Sequence, residues 1–147
     1  MRKFTLSVFI NRPQQDVFDF LSEPANLPKW DVDFVSAEWM SSEAPGIGST
    51  YRASGKRLGS EKDGFFEIVH WDRPNRYGYK AKEHMFLFEQ AEIIITLKPK
   101  SDGTEATCEY QFEIVSSLNF AEGFVAKMGK KRIESNLNTV KRLLEAS

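Results

Sequence analysis

Four tyrosines and one glutamate carry the chemistry that this chain is equipped to do. Tyr77, Tyr79 and Glu83 fall at alternate positions of one extended run, Tyr110 sits in a second, and Tyr51 precedes both. A glutamate enclosed in an apolar interior has a raised pKa and can act as general acid or base. Phenol hydroxyls beside it can orient a carbonyl or stabilise an enolate. Together they would serve an aldol cyclisation or a dehydration, with Glu83 moving the proton and Tyr79 or Tyr110 holding the oxygen. The competing reading puts the tyrosines at a rim and Glu83 near a solvated strand end.

Metal chemistry finds less support. If Pro74-Asn75 centres a hairpin, His70 opposes Tyr79 and His84 opposes Phe65. The two histidines then lie about five ladder positions apart, roughly 17 Å, on opposite faces. Asp31 and Asp33 form an acidic pair after Trp30, but Mg or Ca needs more oxygens than two carboxylates bring. One cysteine and two histidines cannot ligate a Rieske cluster. No metal and no cofactor is expected. Lys127, Lys130, Lys131 and Arg132 form a basic run in a chain of net charge -1. Such runs are mostly solvated helix faces. The sharper reading is a patch for anionic lipid headgroups or an acidic ligand at a cavity mouth.

The elements that must position these residues follow from hydrophobic periodicity. Phe4, Leu6, Val8 and Ile10 alternate with polar residues and predict a half-buried strand. A short helix is predicted from Pro13, with Asn11 as its cap and Gln14 returning the bond. A second short helix is predicted near Pro24. Strands are predicted over residues 32–40, 50–54, 65–71, 77–83, 86–97 and 104–115, separated by turn residues. The last element, a helix over 118–145, places Phe120, Phe124, Met128, Ile133, Leu137, Val140 and Leu144 at helical spacing.

The last hairpin sorts its faces clearly. With Asp102-Gly103 at the turn, Leu97 opposes Ala106, Ile95 opposes Cys108, Ile93 opposes Tyr110 and Ala91 opposes Phe112. Every pair is apolar or aromatic, while Glu105, Thr107, Glu109, Gln111 and Glu113 share the other face. One side is therefore buried and one is wet. The strand before it repeats the pattern, with Tyr77, Tyr79, Ala81 and Glu83 inward and Lys80, Lys82 and His84 outward. On parity, Phe9 and either Trp39 or Trp71 fall on the outer face. A single helix is about 10–12 Å wide, too narrow to fill a curved sheet of six or seven strands. A cavity is the consequence.

The 147 residues suit a single domain, 1–147, and 41% hydrophobic with 28% charged residues is an ordinary water-facing composition. There is no positive excess to favour nucleic acid. The N-terminal apolar run stops at Asn11-Arg12-Pro13 with no cleavage signal after it, and no run approaches the ~20 apolar residues of a bilayer span. The lone Cys108 fits a reducing compartment. A cytoplasmic protein without integral membrane association is expected; nothing in the sequence speaks to its oligomeric state.

The chain resembles the START-like (SRPBCC) superfamily, including its polyketide cyclase/dehydrase-like members. The residues that carry the likeness are Ile10, Pro13, Val17, Phe18 and Leu21, then Leu27-Pro28 and Trp30. Gly46 and Gly48, the run Trp71-Asp72-Arg73-Pro74 with Arg76, and Gly103-Thr104 complete it. The resemblance implies an α+β helix-grip fold: a curved antiparallel sheet of six to seven strands, two short N-terminal helices, and a long C-terminal helix over a cavity. The members include lipid carriers, aromatase/cyclases and chaperone co-activators.

The expected function is binding of a hydrophobic or aromatic small molecule, lipid or polyketide-like. The alternatives are a cyclase or dehydratase on such a substrate, with Glu83, Tyr79 and Tyr110 as candidate catalytic groups, and a protein-interaction module. The expected cavity residues are Tyr51, His70, Tyr77, Tyr79, Glu83, Ile93, Ile95, Cys108, Tyr110 and Phe112. Phe120, Phe124 and Met128 of the long helix complete the set.

Overall fold

The computed structural model of the chain describes residues 2–41, 43–57, 60–82 and 88–147. The elements in order are β1 (Arg2–Ile10), α1 (Gln14–Leu21), α2 (Leu27–Trp30), β2 (Phe34–Trp39), β3 (Thr50–Arg57), β4 (Ser60–Asp72), β5 (Arg76–Ala81), β6 (Phe88–Lys100), β7 (Gly103–Ile114) and α3 (Glu122–Glu145). A 3-10 turn over Pro24–Asn26 leads into α2, and another over Ser116–Ala121 leads into α3. The strands form one antiparallel sheet in the order β1-β7-β6-β5-β4-β3-β2. This is the helix-grip arrangement.

The β6–β7 register is the one expected from the alternation. Leu97 pairs with Ala106, Ile95 with Cys108, Ile93 with Tyr110 and Ala91 with Phe112. The apolar face so formed is covered by α1 and α3. Val17, Phe18 and Leu21 of α1 are buried, as are Ile133, Leu137, Val140 and Leu144 of α3.

The start of α1 differs from expectation. Pro13 is its N-cap, in extended conformation and without a side-chain cap bond. Asn11 instead donates its backbone N–H to Glu145 at 2.8 Å, and Gln14 donates to the Leu97 carbonyl at 2.8 Å. The same corner holds the end of α3. Arg12 donates to the Leu144 carbonyl at 2.8 Å and Lys141 to the Phe9 carbonyl at 2.6 Å. These bonds satisfy carbonyls that a helix end and an edge strand otherwise leave open.

Two parity expectations are corrected. The ladder between β4 and β5 shifts by one residue between Ile68 and His70. A bulge of this kind inverts the faces beyond it. His70 therefore pairs with Gly78, not Tyr79, and Trp71 pairs with Tyr77. His70 lies over Gly78 on the outer face, where its ring would stand 2.8 Å from a Cβ at that position. Trp71 turns inward onto Phe18, and Trp39 packs edge-on against Tyr51 and Trp71. Neither tryptophan is on the outer face, whereas Phe9 stays there, 36% exposed, with the Lys141 ammonium over its ring.

The third correction concerns α3 and the turn before it. Phe120 of the 3-10 turn, and Phe124 and Met128 of α3, are exposed, not inward. Phe124 and Ile133 are nine positions apart, about 900° at 100° per residue, so the two ends of that apolar series face opposite ways. Ile133, Leu137, Val140 and Leu144 reach the core.

Gly103 opens β7 where β1 ends. A Cβ there would stand 2.8 Å from Phe9 Cζ and 2.9 Å from Asn11 Cα, and closer still to the Ile10 carbonyl oxygen. Backbone must move to admit it. Gly103→Ala is expected to cost about 2 kcal/mol, within the range for overpacking, read as a lower urea midpoint with unchanged slope.

Candidate functional site

The inner face of the sheet encloses a cavity of about 280 Å³. Tyr51 and Ala53 of β3, Phe66 of β4, Tyr79 and Ala81 of β5, Ala91 and Ile93 of β6 and Tyr110 of β7 form its sheet wall. These are alternate positions on neighbouring strands, so the pleat itself presents them together. Leu27, Asp31 and Phe34 close one side, and Arg132 of α3 projects into it. Gly55, Lys62, Asp63 and Gly64 of the β3–β4 hairpin form another part of the wall.

The wall is an aromatic network. Tyr51 stacks on Phe66 at 5.1 Å, and Tyr79 meets both edge-on at 5.8 and 5.7 Å. The Tyr51 phenol lies close enough to those of Tyr77 and Tyr79 for the three to influence one another electrostatically. Burial pushes all three phenols above their ordinary pKa, so they remain neutral hydrogen-bonding groups. Tyr77 lies just behind the main cavity, beside a small recess of about 10 Å³ that it shares with Trp30, Tyr51 and Tyr79.

Arg132 supplies the charge. Its Nη1 stands 2.9 Å from Asp33 Oδ2 and 3.3 Å from Asp31 Oδ2. Asp31 is held against the helix end by its N–H to the Leu27 carbonyl, and its Oδ1 accepts from Asp33 N at 3.0 Å. Burial works against the guanidinium charge, but Asp31, Tyr110 and Asp33 together hold its pKa above the usual arginine value. The acidic pair and the end of the basic run, separate features in the sequence, are thus one structural unit.

Of the expected cavity residues, Tyr51, Tyr79, Ile93 and Tyr110 are brought together at the wall. Ile95, Cys108 and Phe112 share the inward face but are buried in the packed core beside the cavity. Burial raises the Cys108 thiol to about 12, which leaves it protonated and a poor nucleophile. His70 stands outside, 3.7 Å from Glu92. Glu83 and His84 lie outside the described residues. Phe120 of the 3-10 turn is exposed, and Phe124 and Met128 are on the outer side of α3. Leu27, Phe34, Ala53, Phe66 and Phe88 line the cavity without having been singled out as site residues, and Arg132, named only as the end of the basic run, lines it too. Strand parity from Tyr51 would have found Ala53, and pairing with Tyr51 and Ala81 would have found Phe66. Among the described residues no group of three or more His, Cys, Asp or Glu is placed to hold a metal ion. No described helix is long and apolar enough to cross a membrane.

The model of the family described as "Polyketide cyclase / dehydrase and lipid transport" matches residues 1–145. The chain belongs to this family. It is accordingly a member of the START-like superfamily. A START superfamily protein from Mycobacterium smegmatis superposes with a TM-score of 0.83 at 13% identity, covering 98% of this chain and 97% of that one. The di-domain ARO/CYC StfQ from the steffimycin biosynthetic pathway superposes with a TM-score of 0.82 at 15% identity over 98% of this chain. The di-domain ARO/CYC BexL from the BE-7585A biosynthetic pathway superposes with a TM-score of 0.79 at 13% identity over 97% of this chain. The chain spans about half of each di-domain protein, 50% of StfQ and 46% of BexL. At such identities the likeness is one of fold. No curated protein matches this family member by sequence.

Proposed function

We propose that this protein binds a hydrophobic or aromatic small molecule in the cavity, with an oxygen of that molecule facing the Tyr79 and Tyr110 hydroxyls. The observation that carries the reading is the cavity of about 280 Å³ walled by aromatic and aliphatic side chains, with a few polar groups converging on it. That composition is the usual one for small-molecule sites. Kept dry, such a volume would cost roughly 7 kcal/mol at the rate for apolar cavities, comparable with the net stability of a domain. A ligand or solvent filling it removes that cost. The family description and the ARO/CYC neighbours are consistent with a polyketide-like or lipid ligand.

Among the described residues, the carboxylates that line the cavity, Asp31 and Asp63, favour binding over proton abstraction. Asp31 is paired with Arg132. Asp63 accepts a hydrogen bond from Ser54, which outweighs burial and, with the Arg52 charge, holds its pKa below the ordinary value. An ion pair at the one and a lowered pKa at the other run opposite to the tuning toward neutrality that a general base at neutral pH needs.

Native mass spectrometry with denaturing extraction identifies any co-purified molecule, and equilibrium dialysis against fatty acids and polycyclic phenols tests the class. Ala91→Phe fills the cavity from β6 and is expected to lower affinity at least about tenfold, or 1.4 kcal/mol. Tyr79→Phe is expected to lower it about fivefold through one lost hydrogen bond. Wild-type protein that binds no member of either class refutes the proposal. Undiminished binding by Ala91→Phe would place the ligand elsewhere.

A further inference from the structure

We propose that the first half of α3 is a docking surface for a lipid bilayer bearing anionic headgroups. Phe120, in the 3-10 turn that leads into α3, is 87% exposed, and Phe124 and Met128, on the side of the helix away from its buried stripe, are 67% and 58% exposed. Within the helix Phe124 and Met128 are one turn apart, about 6 Å at 1.5 Å per residue. Large apolar side chains gathered in one exposed patch mark an interaction site. Val32 is also 90% exposed, and its neighbours Asp31 and Asp33 hold Arg132, one turn beyond Met128.

The charges around the ridge select the partner. Lys127, Lys130 and Lys131 are exposed, and none has an ion pair among the described residues. The acidic side chain on this half of the helix, Glu122, is taken up by Arg2 at 2.8 Å. An apolar ridge with exposed lysines along one flank fits a surface with apolar depth and an anionic skin, which describes a bilayer interface. Lysines can lie along the headgroups while their stems cover apolar surface. A protein partner fits less well, because lysine is depleted in protein interfaces. The whole chain carries net charge -1, so the attraction is local to this patch and must be salt-sensitive. The inference stands on the helix alone and holds whether or not the cavity takes a ligand.

Co-sedimentation with two vesicle preparations tests it, one of phosphatidylcholine and one containing about one-third phosphatidylglycerol. The protein is expected to sediment with the anionic vesicles, much less with the neutral ones, and to be released at high salt. Lys127→Glu with Lys131→Glu is expected to weaken binding at least roughly 25-fold, since each cation near such a surface contributes about fivefold. Phe124→Ser with Met128→Ser, both at exposed positions, is expected to weaken it about tenfold. Circular dichroism and urea unfolding should show both variants folded as the parent. Four results would overturn the proposal: no sedimentation with anionic vesicles, equal binding to neutral ones, unchanged binding by either variant, or a dimer in light scattering that Phe124→Ser with Met128→Ser dissolves. The last would assign the ridge to a second copy of this chain.

Discussion

Phe18→Ala is expected to lower the unfolding free energy by about 4 kcal/mol, within the range for truncating a buried phenylalanine. Phe18 is fully buried on α1 and plugs one end of the sheet. Its ring meets Trp71 edge-on at 5.1 Å and Tyr77 at 6.1 Å. Alanine removes the apolar area, both ring contacts and the filler between α1 and the β4–β5 pair. The helix is only 8 residues long, too short to hold itself by hydrogen bonds, so its docking depends on such side chains. Thermal unfolding should shift down by roughly 12 °C for a chain of this size. Phe18→Leu keeps most of the volume and is expected to cost about 1.5 kcal/mol. Equal losses for the two substitutions would show that the ring contacts, and not the filled volume, hold α1 in place. A loss below about 1 kcal/mol for alanine would show that α1 does not anchor the fold.

Phe18 was legible as inward-facing because helical spacing with Val17 and Leu21 leaves it no other face. The β6–β7 register was legible for a similar reason: its two faces differ so sharply that a slip by one residue would bury Glu105, Glu109 and Glu113. Legibility failed where the period breaks or where two long-separated segments meet. The bulge between Ile68 and His70 adds one residue with no marker in composition, and it turned His70 out and Trp71 in. In α3 the run from Phe120 to Met128 has as good a helical period as the run from Ile133 to Leu144. Only the half-turn difference in phase tells them apart, and periodicity alone does not say which run is buried. Three of the chain's four tyrosines stand at the cavity wall, and strand parity makes two of them, Tyr79 and Tyr110, readable. The partner of the charged group among them is not readable. Arg132 meets Asp31 across 101 positions of sequence, and no local pattern links a helix face to a helix end so far upstream.

Arg132→Ala is expected to cost about 3 kcal/mol, at the lower edge of the range for breaking a buried pair. The lower edge applies because the Arg132 side chain is 30% exposed, while that of Asp31 is 6% exposed. The loss falls mainly on Asp31, which keeps its burial without the guanidinium. Asp31→Asn should therefore recover part of the deficit in the Arg132→Ala background, although alone it is destabilising. That sign reversal is what separates a charge pair from simple packing. The pH dependence follows. Without Arg132, burial is expected to bring the folded-state pKa of Asp31 above its unfolded value of about 3.9. The native variant then binds more protons than the unfolded chain between those two values. Its stability relative to the parent is best below the unfolded pKa and is lost as pH rises through the folded one. Urea unfolding at acid and neutral pH should show the gap between variant and parent widening toward neutrality. A gap that is constant, or that narrows with rising pH, would mean that Arg132 holds this corner through its alkyl stem and that the carboxylate is indifferent to its charge. Ligand affinity measured on the same variant then separates the two roles of the residue. If the guanidinium only secures Asp31 and Asp33, Arg132→Ala with Asp31→Asn should bind as the parent does. If it faces the ligand, affinity stays low even where stability returns.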